Sequence, residues 1–364
     1  MSVTVHMDGQ PEDYSPDYMN VLASLGALPQ ESNHLCEIWT RTPQREPSPH
    51  AVWINPESPT AAQDWIHRGG TALTCHIDSD LCTDHLQNHT SDIRVRSHSN
   101  TPIAPHLLAA FLAHDFPLVD ALMLARAYRG QGWPYDLNHY PIPFDGPASA
   151  NPFPPFPRRA GLYAVVPTSE WVHRMADIRV PVVQLRDKRP DAAQRSAAVE
   201  QAVRAVAGSG TLLFINDDWS AAICHGAYGV HLGQEDIAQA DLDAIRSAGL
   251  RLGISTHGIY EILRAHACRP SYIALGAIYA TTTKSMPTLP QGLRRLRHYV
   301  QLVSPHYPLV AIGGIDRSRI EGIWTAGVDC AAVLRAIVDA SDYRQAASEL
   351  VATSLPFVGA SEAS

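Results

Sequence analysis

The run QLRDK carries Gln184, Arg186 and Lys188 at alternate positions. If it continues a strand, those three side chains share one face. Arginine offers phosphate oxygens a planar fork of donors, and lysine offers a point charge. The plainer alternative is a solvated ion-pair cluster with Asp187, because charged runs usually face water. Two further runs end in oxygen ligands. TLLFIND ends in Asn216 and Asp217, followed by Asp218, and GVHLGQED ends in Gln234, Glu235 and Asp236. Carboxylates at neighbouring strand ends, Asp217 and Asp236, suit Mg2+, which often takes only one or two of them plus substrate phosphate. The competing use is helix capping by Asp218 and Asp236. Ser255 in GISTH and the loop Thr281, Thr282, Thr283, Lys284 add hydroxyls and an ammonium for phosphate oxygens. A threonine run otherwise reflects strand propensity or turn chemistry. Gly313 and Gly314 in AIGGI let backbone N–H groups approach a ligand closely, although tight turns use such pairs too.

Together, Arg186, Lys188 and Lys284 would bring three positive charges to one place, with Asp217 and Asp236 for a metal and Gly313–Gly314 for a second anion. Two separate anion sites point to two substrates, one a diphosphate and one a phosphate. The whole chain has 28 Lys and Arg against 36 Asp and Glu, a net charge of −8, so a polyanion-binding protein is not expected and a local basic pocket is the more informative.

The elements that must position these residues are regular after residue 160. Eight short apolar runs read as strands: 162–166, 182–186, 212–216, 229–233, 251–255, 272–276, 309–313 and 330–334. Helix-like segments lie between them, such as DAAQRSAAVEQAVRAVAG, which runs into Gly208 as a C-terminal stop. Strand–helix alternation predicts parallel strands, and eight repeats predict a closed (β/α)8 TIM barrel over residues 160–356. A doubly wound open sheet is the alternative, weakened because no GxGxxG follows the first strand. In such a barrel the site lies at the C-terminal ends of the strands, where these residues fall.

The first half differs. Residues 1–145 hold 11 of the 18 histidines and show little periodicity before Ala104. A smaller α/β or mostly α accessory domain is expected there. Between Ala104 and Gly132 two helices are predicted, the second starting at Asp115 or Pro117, with Leu118, Leu122 and Ala125 as a core stripe. Seven prolines between Pro141 and Pro157 exclude helix and central strand, so residues 146–159 read as a stiff, extended linker. The set Cys75, His76, Cys82, His85, His89 invites a zinc reading, but its spacing is not a familiar paired-CxxC framework. Six scattered cysteines fit reduced thiols in a cytoplasm, and the polar N-terminus lacks the pattern of a secretion signal. No stretch is apolar enough to span a membrane. Small-molecule substrates are the expected partners, with no nucleic acid and no membrane; homo-oligomerisation is left open.

QLRDK, IND, GVHLGQED, GISTH, TTTK and AIGGI occur in the order and spacing of one family: residues 160–355 closely resemble thiamine phosphate synthase. Any one motif is weak, and the six together are specific. The resemblance implies a Mg2+-assisted, dissociative condensation of 4-amino-5-hydroxymethyl-2-methylpyrimidine diphosphate with 4-methyl-5-(2-hydroxyethyl)thiazole phosphate, or its carboxylated form. The products are thiamine monophosphate and pyrophosphate. By the same resemblance Gln184, Arg186, Lys188, Asn216 and Lys284 hold the pyrimidine diphosphate, with Arg186, Lys188 and Lys284 the catalytic cations. Asp217 and Asp236 ligate Mg2+; Ser255, Thr281 and Thr283 surround the pyrophosphate and thiazole phosphate; Gly314 and the loop after the last strand hold the thiazole phosphate. The chain departs from the family pattern at Ala277, where Pro is usual, and at Arg335, where Ser is common. Residues 104–132 faintly resemble the last helices of hydroxymethylpyrimidine phosphate kinases of the ribokinase-like group, without that family's glycine-rich anion hole. The rivals are a thiazole tautomerase and a sensor of thiamine precursors, both of which leave the intact diphosphate set unexplained.

Overall fold

The computed structural model describes residues 3–7, 10–12, 16–25, 36–40, 42–43, 46–48, 51–281 and 289–357. The chain divides into two compact units, Met1–Gly146 and Pro147–Ser364.

In the first unit one sheet contains β1 (Val3–Met7), β2 (Gln10–Glu12), β3 (Cys36–Trp39), β4 (Ala51–Ile54), β5 (Thr71–Asp78), β6 (Leu81–Gln87), β7 (Asp92–His98) and β8 (Ile142–Pro143). Their order is β2-β1-β3-β4-β5-β6-β7-β8. Strands β1, β3, β4 and β5 run parallel, and β5 to β8 run antiparallel. The helices are α1 (Pro16–Leu25), α2 (Pro59–His67), α3 (Pro105–Ala113) and α4 (Leu118–Ala127). Ser58 caps α2 by accepting from Ala61 N–H, with Pro59 in its first turn. The unit is therefore α/β, not mostly helical. Its strands escape a periodicity search because polar residues occupy both faces: in β6, Thr83 and His85 lie half-exposed while Asp84 is buried. Helices α3 and α4 lie where two were expected. However, Leu118 and Val119 are only half-buried, and every residue of α4 from Asp120 to Ala127 is buried, including Asp120 and Arg126. A single apolar stripe does not describe a helix enclosed on every side.

In the second unit eight parallel strands close into a barrel. They are β9 (Gly161–Val166), β10 (Val182–Leu185), β11 (Leu212–Asn216), β12 (Gly229–Leu232), β13 (Arg251–Thr256), β14 (Tyr272–Leu275), β15 (Leu309–Ile312) and β16 (Cys330–Val333). Each begins and ends within a residue of its predicted run. The closing pair sets Cys330 beside Gly161. Around the strands lie α5 (Ser169–Asp177), α6 (Ala192–Val206), α7 (Trp219–His225), α8 (Leu242–Ser247), α9 (Ile259–Ala267), α10 (Gly292–Val303), α11 (Ile320–Thr325), α12 (Arg335–Val338) and α13 (Tyr343–Ser354). Asp191 caps α6, and Gly208 beyond its end takes φ +72°. No helix among the described residues is long and apolar enough to cross a membrane.

Alternate strand residues point inward, so Tyr163, Val182, Phe214, Tyr272, Val310 and Cys330 fill the barrel interior. Gly253 makes room for them, since a Cβ there would lie 2.1 Å from the Tyr272 ring. The proline-rich segment is extended, as its composition requires, but it does not serve as a free spacer. It lies across the N-terminal end of the barrel, where Phe153 N–H donates to Arg269 O (3.0 Å) and Ser271 Oγ to Pro154 O (2.6 Å). Phe156 plugs that end against Phe214 and Tyr272, with ring centroids 5.7 and 4.9 Å apart. Proline carbonyls remain good acceptors, and the aromatic residues between the prolines supply the apolar contacts.

Candidate active site

A cavity of about 890 Å³ opens at the C-terminal ends of the strands. Gln184, Arg186, Lys188, Asn216, Asp217, Asp236, Ser255, Thr281 and Gly314 all line it. Thr283 and Lys284 lie outside the described residues.

One wall is built from the ends of β10, β11 and β12. Asp217 takes φ +63°, an uncommon conformation that aspartate tolerates better than most residues. Its N–H donates to His231 O (3.0 Å), and its Oδ2 accepts from Lys188 Nζ (2.7 Å). Asp236 Oδ2 accepts from Gly233 N–H (3.2 Å). Burial, and after it the negative charge of Asp217, raise the Asp236 carboxyl above its ordinary value. Two carboxylates crowded in this way are a donor set for a hard divalent cation. Of the two aspartates weighed as helix caps, only Asp218 is one, accepting from Ala221 N–H at the start of α7. Asp187 pairs with Arg189, so the surface ion-pair cluster exists, but it leaves out Arg186 and Lys188. Arg186 has no ion-pair partner among the described residues, which leaves its charge available to a ligand.

The floor is a hydrogen-bonded chain that strand patterning alone did not single out. Gln184 Nε2 donates to Tyr163 Oη (2.9 Å), which lies 2.9 Å from Tyr272 Oη. Tyr272 Oη lies 2.8 Å from His231 Nδ1, and His231 Nε2 lies 2.7 Å from Ser255 Oγ. Gln184 donates at one end; because each hydroxyl can accept as well as donate, the direction of the bonds beyond Tyr163 follows the tautomer of His231. With the Nε2–H tautomer of His231, the Ser255 hydroxyl hydrogen is left for a ligand in the cavity. The available signal was a lone polar residue inside each apolar strand run: Tyr in GLYAVV, His in GVHL and Tyr in YIAL.

Burial pushes the His231 imidazole down to about 4. It is neutral at pH 7, whereas the unfolded chain binds a proton near 6.5. The sign follows: its contribution to stability is present above that pH and is lost as pH falls toward 4, a loss on the order of 3 kcal/mol. A His231→Gln variant should therefore flatten the acid limb of a melting-temperature profile, leaving the part due to His298, lowered likewise by burial. An acid limb identical to the parent's would refute this.

The opposite wall is the loop after β15. Gly313 and Gly314 take φ +105° and +64°, and a Cβ on Gly314 would lie 2.5 Å from Ala280 O. Arg319 Nη1 braces this loop by donating to Gly314 O (2.8 Å). Arg335 and Ala277, the two departures from the family pattern, both line the cavity. The Gly276–Ala277 peptide is cis.

In the first unit, the Cys/His set considered for zinc does not assemble. Cys75 and Cys82 meet beside Asp84, whereas His85 pairs with Asp92 at 2.6 Å. Strand alternation turns His76 and His85 to the face opposite the two thiols.

The family profile described as "Thiamine monophosphate synthase" matches residues 162–337. A thiamine-phosphate synthase of Photorhabdus laumondii is 48% identical over 200 residues, covering 55% of this chain and 92% of its own length. One from Neisseria meningitidis is 50% identical over 190 residues, covering 52% and 92%. A solved thiamine phosphate pyrophosphorylase from Pyrococcus furiosus aligns at a TM-score of 0.49 and 26% identity, covering 56% of this chain and 98% of that one. With nearly the full length of its relatives contained in the barrel unit, the chain belongs to the thiamine-phosphate synthase family.

Proposed function

We propose that the barrel mouth joins 4-amino-5-hydroxymethyl-2-methylpyrimidine diphosphate to 4-methyl-5-(2-hydroxyethyl)thiazole phosphate, or its carboxylated form, giving thiamine monophosphate and pyrophosphate. The observation that carries this reading is the division of one cavity into two walls. Cations and carboxylates gather on the β10–β12 side, and a glycine loop lies on the β15 side.

The pyrimidine diphosphate is assigned to the first wall, held by Gln184, Arg186, Lys188 and Asn216, with Lys284 added by the family pattern. Departure of pyrophosphate puts negative charge on the leaving group. Fixed cations aimed at that charge stabilise the transition state more than the ground state. Arg186, which has no ion-pair partner among the described residues, supplies its charge, and Lys188 is oriented by Asp217. Ser255, hydrogen-bonded to His231, and Thr281 each offer a hydroxyl to pyrophosphate oxygens. The crowded pair Asp217 and Asp236 fits Mg2+, which when bound neutralises charge on the leaving diphosphate. Gly314 and the β15 loop hold the thiazole phosphate, with Arg335 adding charge where the family has Ser. Holding the thiazole nitrogen against the pyrimidine methylene supplies proximity, and no protein base is needed. The charged precursors do not cross membranes unaided, which supports a cytoplasmic site of action.

The test is purified full-length protein with both substrates and Mg2+, following thiamine monophosphate and pyrophosphate. Both products should form and should cease with EDTA. Folded protein that makes neither product would overturn the reading.

A further inference from the structure

The sheet face covered by α4 carries a side-chain cluster that takes no part in chemistry at the barrel mouth. Cys75 on β5 lies opposite Asp84 on β6, and Cys82 sits two residues before Asp84 on the same face. The two sulfurs are 2.8 Å apart. Arg126, near the end of α4, binds both Asp84 oxygens at 2.5 Å through Nε and Nη2. Its Nη2 also lies 3.0 Å from Cys82 Sγ and 3.5 Å from Cys75 Sγ. Asp84 and Cys82 are fully buried, whereas Cys75 is half-buried.

Two thiols and a carboxylate within 4.8 Å of one another could serve a soft metal or a redox couple. The guanidinium decides between them. It already supplies the positive charge and donates to all three acceptors, so a divalent ion would be pressed against a fixed cation. The sulfurs, in contrast, face each other with nothing between them.

We propose that Cys75 and Cys82 form a reversible dithiol–disulfide site that is oxidised by hydroperoxides. The more accessible Cys75 sulfur, as thiolate, attacks the peroxide oxygen and the O–O bond breaks. Cys75 becomes a sulfenic acid, and the released alkoxide takes up the proton that Cys75 shed in forming the thiolate, leaving as an alcohol. Cys82 then attacks the Cys75 sulfur; the S–S bond forms, the S–O bond breaks, and hydroxide takes the Cys82 proton to leave as water. The two sulfurs lose two electrons and the peroxide gains them. Burial, the hydrogen bond to Cys75 and the Asp84 charge push the Cys82 thiol up, which suits it to the second, resolving step; Arg126 offsets part of that rise, and Asp84 holds Arg126 in place. In a reducing compartment such a disulfide is transient, as redox-sensing pairs are.

The test treats the reduced full-length protein with one equivalent of tert-butyl hydroperoxide, alkylates the remaining thiols and digests before aspartate. Cleavage at Asp78 and Asp80 separates the two cysteines. The expected product is a Cys75–Cys82 link, two hydrogens lighter and reversed by dithiothreitol, while exposed Cys224 stays alkylatable. Cys82→Ser should stop at a sulfenic acid trapped by dimedone, and Cys75→Ser should form no link. The map of the unaltered protein stands even if a variant folds poorly. Three results overturn the proposal: over-oxidised Cys75 beside alkylatable Cys82, a link to any other cysteine, or bound zinc shielding both thiols from alkylation.

Discussion

An Asp217→Asn variant is expected to form thiamine monophosphate roughly a hundred- to a thousandfold more slowly than the parent. Asparagine keeps the shape of the side chain and tolerates the φ of +63° at this position. The loss therefore comes from charge and not from backbone strain; Asp217→Ala would add strain of about 1 kcal/mol. Removing the charge has two consequences. Lys188 loses the partner that orients it at 2.7 Å. Asp236 loses the like-charged neighbour that raises its carboxyl, so Asp236→Asn should be the milder variant only if Asp217 alone can hold the cation. The measurement is kcat at saturating substrates over a Mg2+ titration, beside a thermal melt. A folded Asp217→Asn protein with near-parental kcat would remove Asp217 from the site.

Arg186→Ala is expected to lower kcat/KM for the pyrimidine diphosphate by roughly a hundredfold, with the larger share in kcat. Arg186 lines the cavity, follows β10 directly and has no carboxylate partner among the described residues. Its charge therefore acts on the leaving group without first being screened by the protein. Arg186→Lys should recover only part of the loss, because an ammonium lacks the planar fork. KM for the thiazole phosphate should hardly move, because that substrate is assigned to the opposite wall. If KM for the thiazole phosphate rises instead while kcat holds, the two walls are wrongly assigned.

The barrel was legible because a parallel strand buried on both faces is a short apolar run, and such runs bounded by helices need no long-range information. The residues proposed to hold phosphate were legible because each sits at a strand end, where the chain turns toward the cavity. Asp218 and Asp236 were not separable in the sequence. Both stand at the start of helical turns, and only the placement of Asp236 beside Asp217 and Gly233 distinguishes a half-buried cavity carboxylate from a cap. The chain from Gln184 to Ser255 was equally hidden. Its members come from β9, β10, β12, β13 and β14, and their contacts exist only once the barrel closes.

The first unit marks the other boundary of sequence reading. Two of its helices, α3 and α4, announced themselves by apolar spacing, but its sheet did not, because strands with polar residues on both faces carry no clear period. Zinc spacing drew attention to five residues there; strand register kept two of them together and sent His76 and His85 to the opposite face. By itself, the sequence determined the strand ends, the residues that stand at them and their family. The tertiary structure alone decided which aspartate caps a helix and which lies beside Asp217, which buried polar groups join into one chain, and which two thiols meet. Those outcomes depend on distances between residues far apart in the chain, and local propensity carries no record of such distances.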